Sequence, residues 1–336
     1  MDIIRNRILP ILESLGGWRY QEKEILTEVE ICEGDYNFTE RLNGRILQEG
    51  WKPFGSYETW GGGDRHFWFR TRAQVREKWK GKEVRITLNT GADDIWNTDN
   101  PQVMVYKNGV LSGTMDMNHQ DLILTEAAQG GEMYELVFYA YSNSEAPTNF
   151  FHLILSVYNE DVAGLYYDLK VPFEAAELLS EEDLNRIEIM KCLNGCISRL
   201  DLRKTESEEF EQSIKEARMY LRENREKLYR YTPVTVHSIG HTHIDVAWKW
   251  PLRQTRQKTV RSFRTVLNLM ERFPEYKFMS SQPQLYEFVK EEAPELFEEI
   301  QKKIDQGRWE AEGGMWLEPD CNLVSGESLI RHILYG

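Results

Sequence analysis

Cysteine is scarce in this chain: four in 336 residues, at positions 32, 192, 196 and 321. So few and so scattered, they exclude the disulfide framework of a small secreted scaffold. Cys192 and Cys196 stand four apart in KCLNGC, a spacing that shares one helical face. No second Cys or His pair follows at the spacing of a structural zinc module, so they read as buried thiols in a reducing compartment. Long apolar runs are also missing. FFHLILSVY falls well short of the roughly 20 residues a membrane span needs and carries His152. The N-terminal MDIIRNRILPILESLGGWRY is broken by Asp2, Arg5, Asn6, Arg7 and Pro10, so it lacks the core of a signal peptide and reads as a short amphipathic helix. The expectation is a cytoplasmic protein. Positive charge is in deficit, with 41 Lys and Arg against 55 Asp and Glu, a net charge of −14, and no long basic block occurs. That balance argues against a nucleic acid or an anionic membrane as partner. No repeat of 20 to 50 residues is present, which excludes a solenoid.

What is present is material for several cores: 41% apolar and 12% aromatic residues in a length that predicts two or three domains. The texture changes along the chain in a way that implies a multidomain α and β protein. Residues 1–45 read as a helical segment with connecting turns. Residues 46–172 carry HFWFRT, EVRITLNT, PQVMVYKNG, ELVFYAYS and FFHLILSVYNE, separated by turns such as KNGV and QGGE, which suggests an antiparallel β-sandwich. Residues 173–232 read as a helical linker of two helices joined near 195–207, with Ser207 as a candidate helix cap. From 233 to 336, VTVHSIG, KFMSSQ and WEAEGGMW read as strands alternating with helices, one interrupted at Pro294. This is the beginning of a parallel β/α domain, an incomplete barrel-like unit that Pro233 opens.

Seven histidines occur in the chain, and three of them, His237, His241 and His243, fall within VTVHSIGHTHIDVAWKW. If extended geometry continues past the predicted strand, His241, His243 and Asp245 share one side, because side chains alternate with a period of two. Imidazole nitrogen with carboxylate oxygen at the carboxyl end of a strand suits Zn²⁺, with further ligands required from elsewhere in the fold. His237, within the predicted strand, reads instead as a core histidine bonded to backbone. His241 stands between the two roles, able to orient a metal ligand or touch substrate. Trp248, with Trp250 and Trp316 in related segments, can stack on the C–H face of a sugar, although tryptophan is also an ordinary core residue.

Three blocks, GHTHIDVAWKWPLRQTRQKTVRSF, SSQPQLYEFVKEEAPELFEEI and GRWEAEGGMWLEPDCNLVSGESLIRH, together resemble the front of the catalytic domain of glycoside hydrolase family 38 α-mannosidases. WGGGDRHFWFR and PQVMVYKNGVLSGTMDMNHQDLIL are similar to the β-sandwich that precedes that domain in cytosolic and bacterial members. The resemblance implies a zinc-dependent, retaining hydrolysis of terminal α-linked mannose from mannose-containing oligosaccharides. It also implies that His243 and Asp245 are zinc ligands, that Trp248 packs on the bound mannose, and that Asp320 in LEPD lies near the substrate. For Asp320, a helix cap or turn is the alternative. Retaining hydrolysis needs two carboxyl groups about 5 to 5.5 Å apart. The family's nucleophile motif, resembling PDVFG, and the later acid/base Asp and zinc-ligating His have no counterpart in these 336 residues. They are expected beyond residue 336, so this chain alone is expected to be inactive. Two other readings compete: a different metal-dependent hydrolase on a β/α barrel, and a noncatalytic carbohydrate-binding module in which the aromatics of WGGGDRHFWFR stack on glycan. A homo-oligomer is left open.

Overall fold

The computed structural model describes residues 2–34, 50–92, 100–205, 207–228 and 234–336. Helix α1 (Asp2–Trp18) begins the chain and is followed by strands β1 (Tyr20–Leu26) and β2 (Glu30–Glu33). Residues 20–26 and 30–33, within the segment read above as helical with connecting turns, are therefore strands. YQEKEIL is too charged to resemble one, but at the edge of a sheet only alternate side chains need cover. The remainder of the 1–45 segment, from 35 on, lies outside the described residues, as does Pro233.

Strands β3 (Lys52–Pro53), β4 (Arg65–Gln74), β5 (Glu83–Asn89), β6 (Gln102–Lys107), β7 (Val110–Met115), β8 (Asp121–Thr125), β9 (Met133–Ser142) and β10 (His152–Tyr158) complete two antiparallel sheets. Their orders are β3-β2-β4-β9-β6-β7 and β1-β10-β5-β8. The KNGV turn is a two-residue hairpin between β6 and β7 in which Asn108 and Gly109 both take positive φ, the geometry that matches strand twist. Between the sheets lie Phe69, Val84, Ile86, Val103, Phe138 and Leu155, with the Phe69 and Phe151 rings stacked at 3.7 Å. Trp60, Phe67 and Phe69 all belong to this core. These aromatics of WGGGDRHFWFR fill the interior and are not a sugar platform, because alternate positions of β4 face the second sheet.

The positions between them, Trp68, Met104, Tyr106, Val137 and Tyr139, point to the opposite face of the six-stranded sheet and are buried as well. What covers them comes from the far end of the chain. Before that, helices α2 (Glu160–Glu177), α3 (Leu184–Ile197), α4 (Glu208–Glu223) and α5 (Arg225–Leu228) pack with α1 into a bundle around Leu15, Leu165, Leu193, Phe210 and Ile214. Asn159, Asp183 and Ser207 cap the first three of these, the last as its sequence position suggests. Residues 160–172, grouped above with the sandwich, are thus helical, and the linker is a bundle with its own core. Cys192 and Cys196 are buried in it, and burial pushes the Cys196 thiol up to about 12.

The last part holds a parallel three-stranded sheet, β11 (Gly240–His241), β12 (Phe278–Ser280) and β13 (Trp309–Ala311), in that order. Helices α6 (Leu252–Arg272), α7 (Pro283–Glu292), α8 (Pro294–Asp305) and α9 (Gly326–Tyr335) alternate with it. Pro294 sits in the first turn of α8, where its missing N–H costs nothing, and so separates α7 from α8. Trp309 is the hub of this core, with ring contacts to Phe263 at 5.0 Å and Phe278 at 4.6 Å and an indole N–H donated to Tyr286 Oη at 2.8 Å.

VTVHSIG departs from its reading as a buried strand. Residues 234–239 are exposed and outside the sheet; only Gly240 and His241 pair, with Phe278 and Met279. Among the described residues β11 has one neighbour, β12, and the apolar residues ahead of it lie in solvent. His237 is exposed and is not a core histidine.

Helix α6 covers the outer face of the six-stranded sheet, and hydrogen bonds fix it there. Thr265 and Thr114 hydroxyls meet at 2.6 Å, Asn268 Nδ2 donates to Ser112 O at 2.9 Å, and Gln257 Nε2 donates to Tyr139 Oη at 3.0 Å. Gly113 permits the approach: a Cβ there would lie 2.2 Å from Leu122 Cδ1 and 3.2 Å from Asn268 Nδ2. Trp309→Ala should cost about 3–5 kcal/mol, and Tyr139→Phe about 1–2 kcal/mol through the lost hydroxyl that bonds both Gln257 of α6 and His66 of β4. Both are read from chemical-denaturation midpoints. An unchanged midpoint for Tyr139→Phe would show that the inter-element hydrogen bond adds nothing.

Candidate functional site

The site begins where β11 ends. Ile244 is buried, 4% exposed, so alternation turns its neighbours His243 and Asp245 outward on the same side. The loop that follows is fastened to α6 through one hydroxyl. Thr255, fully buried, donates from Oγ1 to Asp245 O at 3.2 Å and accepts from Ala247 N at 3.1 Å and from Trp250 Nε1 at 3.2 Å. A threonine hydroxyl has one proton and two lone pairs, and all three are used. The loop turns through Ala247 at φ 61, a left-handed conformation few residues without glycine's freedom adopt.

His243 stands between two carboxylates. Its Nε2 lies 3.2 Å from Asp245 Oδ1 and its Nδ1 2.7 Å from Glu318 Oε2, and Ser281 Oγ donates to Glu318 Oε1 at 2.5 Å. Asp245 follows β11, Ser281 follows β12, and Glu318 follows β13, so the cluster gathers at the carboxyl ends of three parallel strands, where ligands of α/β folds collect. The Ser281 hydrogen bond, opposed by partial burial and supported by His243, holds Glu318 below the usual carboxylate range. Glu318 is therefore an anion at neutral pH and a fixed acceptor for the His243 N–H.

The spacing can be tested against a metal. Two ligands at about 2.0–2.2 Å from a tetrahedral zinc have donor atoms roughly 3.3 to 3.5 Å apart. His243 Nε2 and Asp245 Oδ1, at 3.2 Å, are close to that bite. Glu318 on the other ring nitrogen supplies the carboxylate that histidine ligands commonly carry behind them. Two donors are fewer than a site requires, and among the described residues no group of three His, Cys, Asp or Glu side chains is placed to hold a metal ion.

The other sequence-stated residues fall as follows. Trp248 is 57% exposed, edge-on to Trp250 at 5.6 Å, and with His241 and His243 lines a cleft of about 450 Å³. Trp316 is held away from it, donating from Nε1 to Gln284 Oε1 at 2.9 Å. Asp320 is exposed and builds a turn, its Oδ1 accepting from Asn322 N at 2.9 Å and its carbonyl from Leu323 N at 3.1 Å; it makes no hydrogen bond to His243 or Asp245. Glu318, two residues earlier in the same LEPD segment, is the carboxylate that reaches the histidine. Sequence reasoning passed over it, because the motif offers two acids and the path of the loop decides which one meets His243. No helix among the described residues is long and apolar enough to cross a membrane.

Comparison with known proteins matches two parts of the chain. Residues 233–336 match the glycosyl hydrolases family 38 N-terminal domain, and residues 33–156 match the alpha-mannosidase jelly roll domain. Alpha-mannosidase G of Dictyostelium discoideum is 29% identical over 297 residues, 83% of this chain and 26% of that protein. Alpha-mannosidase 2C1 of Homo sapiens is 30% identical over 284 residues, 80% of this chain and 26% of that protein. The chain thus spans about a quarter of the length of the curated relatives it matches. Among solved structures, a β-glucuronidase from Ruminococcus gnavus in complex with D-glucaro 1,5-lactone overlaps 42% of this chain and 30% of its own, with a TM-score of 0.31 and 12% identity. The family 38 match thus falls on residues 233–336 and the jelly roll match on residues 33–156, and alpha-mannosidases align with about four fifths of this chain.

Proposed function

We propose that this chain is the N-terminal part of a cytoplasmic, zinc-dependent, retaining α-mannosidase that removes terminal α-linked mannose from oligosaccharides. Residues 233–336 would open its β/α barrel, with the sandwich and the helical bundle as ancillary units. The observation that carries this reading is the His243–Asp245 pair at the end of β11, spaced for a common metal and backed by Glu318, within the family 38 segment. His243 Nε2 and Asp245 Oδ1 would hold the zinc, which when bound would grip hydroxyls of the terminal mannose as a Lewis acid. Glu318 fixes the plane of the His243 ring and keeps its proton on Nδ1, leaving the Nε2 lone pair for the metal. Trp248 offers an exposed indole to the apolar face of the sugar, and His241 lines the same cleft. Asp320 shapes the loop that delivers Glu318. The remaining ligands and the two carboxyl groups of a retaining mechanism would come from downstream segments of the longer protein.

In the full-length protein, His243→Ala or Asp245→Ala should lower both zinc content, measured by elemental analysis, and turnover of an aryl α-mannoside; full zinc occupancy in either variant would remove that residue from the ligand set. Glu318→Gln leaves both ligands in place and should weaken zinc binding about 10- to 100-fold in a chelator competition. Equal affinity would reduce Glu318 to a loop contact. The 336-residue chain assayed alone should show no zinc-dependent hydrolysis, and robust turnover by it would overturn the division of the site proposed here.

A further inference from the structure

The cleft that holds Trp248 and His243 does not stop at the family 38 segment. Its lining takes in Asp116, Asn118 and His119, from the turn between β7 and β8 of the sandwich, together with Trp250 and Lys258. The turn is held by its own hydrogen bonds. Asp116 Oδ1 accepts from Asn118 N and His119 N, each at 2.8 Å, and from His119 Nδ1 at 3.0 Å, while Asp116 N donates to His119 O at 3.1 Å. This closes the turn on itself and leaves the Asn118 side chain and the His119 Nε2 edge facing outward, both residues being exposed. Thr114 and Thr265, which line the cleft, are joined by a hydrogen bond, and with the Ser112–Asn268 bond it ties the sandwich to α6 there.

We propose that this turn and the Lys258 face of α6 form a subsite for the sugar on the leaving-group side of the bond to be cleaved. The inference rests on the mannosidase reading. An enzyme that takes a terminal mannose at Trp248 and His243 has only leaving-group sugars beyond it, so a cleft continuing from that point must hold them. The whole cleft, the Trp248 and His243 end included, measures about 450 Å³, within the range of small-molecule sites, roughly 300–1,000 Å³. Its chemistry suits a neutral polyhydroxylated ring: an amide with both donor and acceptor, an imidazole nitrogen, and an indole face at Trp250. Lys258 Nζ lies 4.3 Å from the Trp250 ring, and the carboxylates of Asp116 and Asp245 act on it electrostatically. Its ammonium offers hydrogen-bond donors to sugar hydroxyls. Arg261 is committed to Gln102.

The test compares α-linked mannobiose with α-mannosyl fluoride, whose leaving group is a single atom, in the full-length enzyme. The double variant Asn118→Ala with His119→Ala, at exposed positions, and separately Lys258→Met, are the changes to make. The expected result is a fall of about tenfold in the ratio of kcat/KM for the disaccharide to that for the fluoride, carried mainly by KM. A ratio within twofold of wild type in both variants, with wild type active on both substrates, would overturn the subsite and leave the mannosidase reading intact. A wild-type enzyme that cleaves neither substrate would overturn that reading, and the subsite with it.

Discussion

Helix α6 is buried on nearly every side, and the rest of the chain is arranged around that burial. One face carries Val260, Phe263, Leu267 and Met270 into the core under the parallel strands; the other presents Gln254, Gln257, Arg261 and Thr265 to the six-stranded sheet. Burying polar groups is costly unless each finds a partner, so this second face tolerates few orientations. A purely apolar contact would have held the sheet and the helix together without fixing their angle. The hydrogen bonds to Gln102, Ser112, Thr114 and Tyr139 select one placement.

The same helix positions the metal-site loop. Thr255 in its first turn holds Asp245, Ala247 and Trp250 through one oxygen, so the loop is referenced to α6 and, through α6, to the sandwich. His243 takes its orientation from a different source, the Glu318–Ser281 chain at the ends of β13 and β12. The two members of the proposed ligand pair are thus held by independent supports that meet at 3.2 Å.

Much of the fold was legible in the sequence because period-two and helical spacings survive locally. HFWFRT, ELVFYAYS, KFMSSQ and the Val260–Met270 stripe all lie in the elements their patterns indicate. The failures have physical causes. YQEKEIL is a strand that only an edge position permits, and among the described residues VTVHSIG pairs only through Gly240 despite a strand's composition. HFWF reads as one apolar run because both faces of β4 are covered, a fact set by residues nearly two hundred positions away. At the site, HTHID announces itself through its spacing. Glu318 does not, since its meeting with His243 depends on a loop path across 75 residues.

The double covering of the six-stranded sheet bears on how such a chain can be inherited. A sandwich exposed on its outer surfaces can be cut out, joined to other enzymes and passed around as an independent module. Here the outer surface is Trp68, Met104, Tyr106, Val137 and Tyr139. Separated from α6, that surface would be a broad apolar patch of the kind that drives aggregation. The sandwich is therefore not a portable appendage of its neighbour: shuffling at the gene level would have to move the two together, and substitutions on either side of the contact would have to be matched by changes on the other.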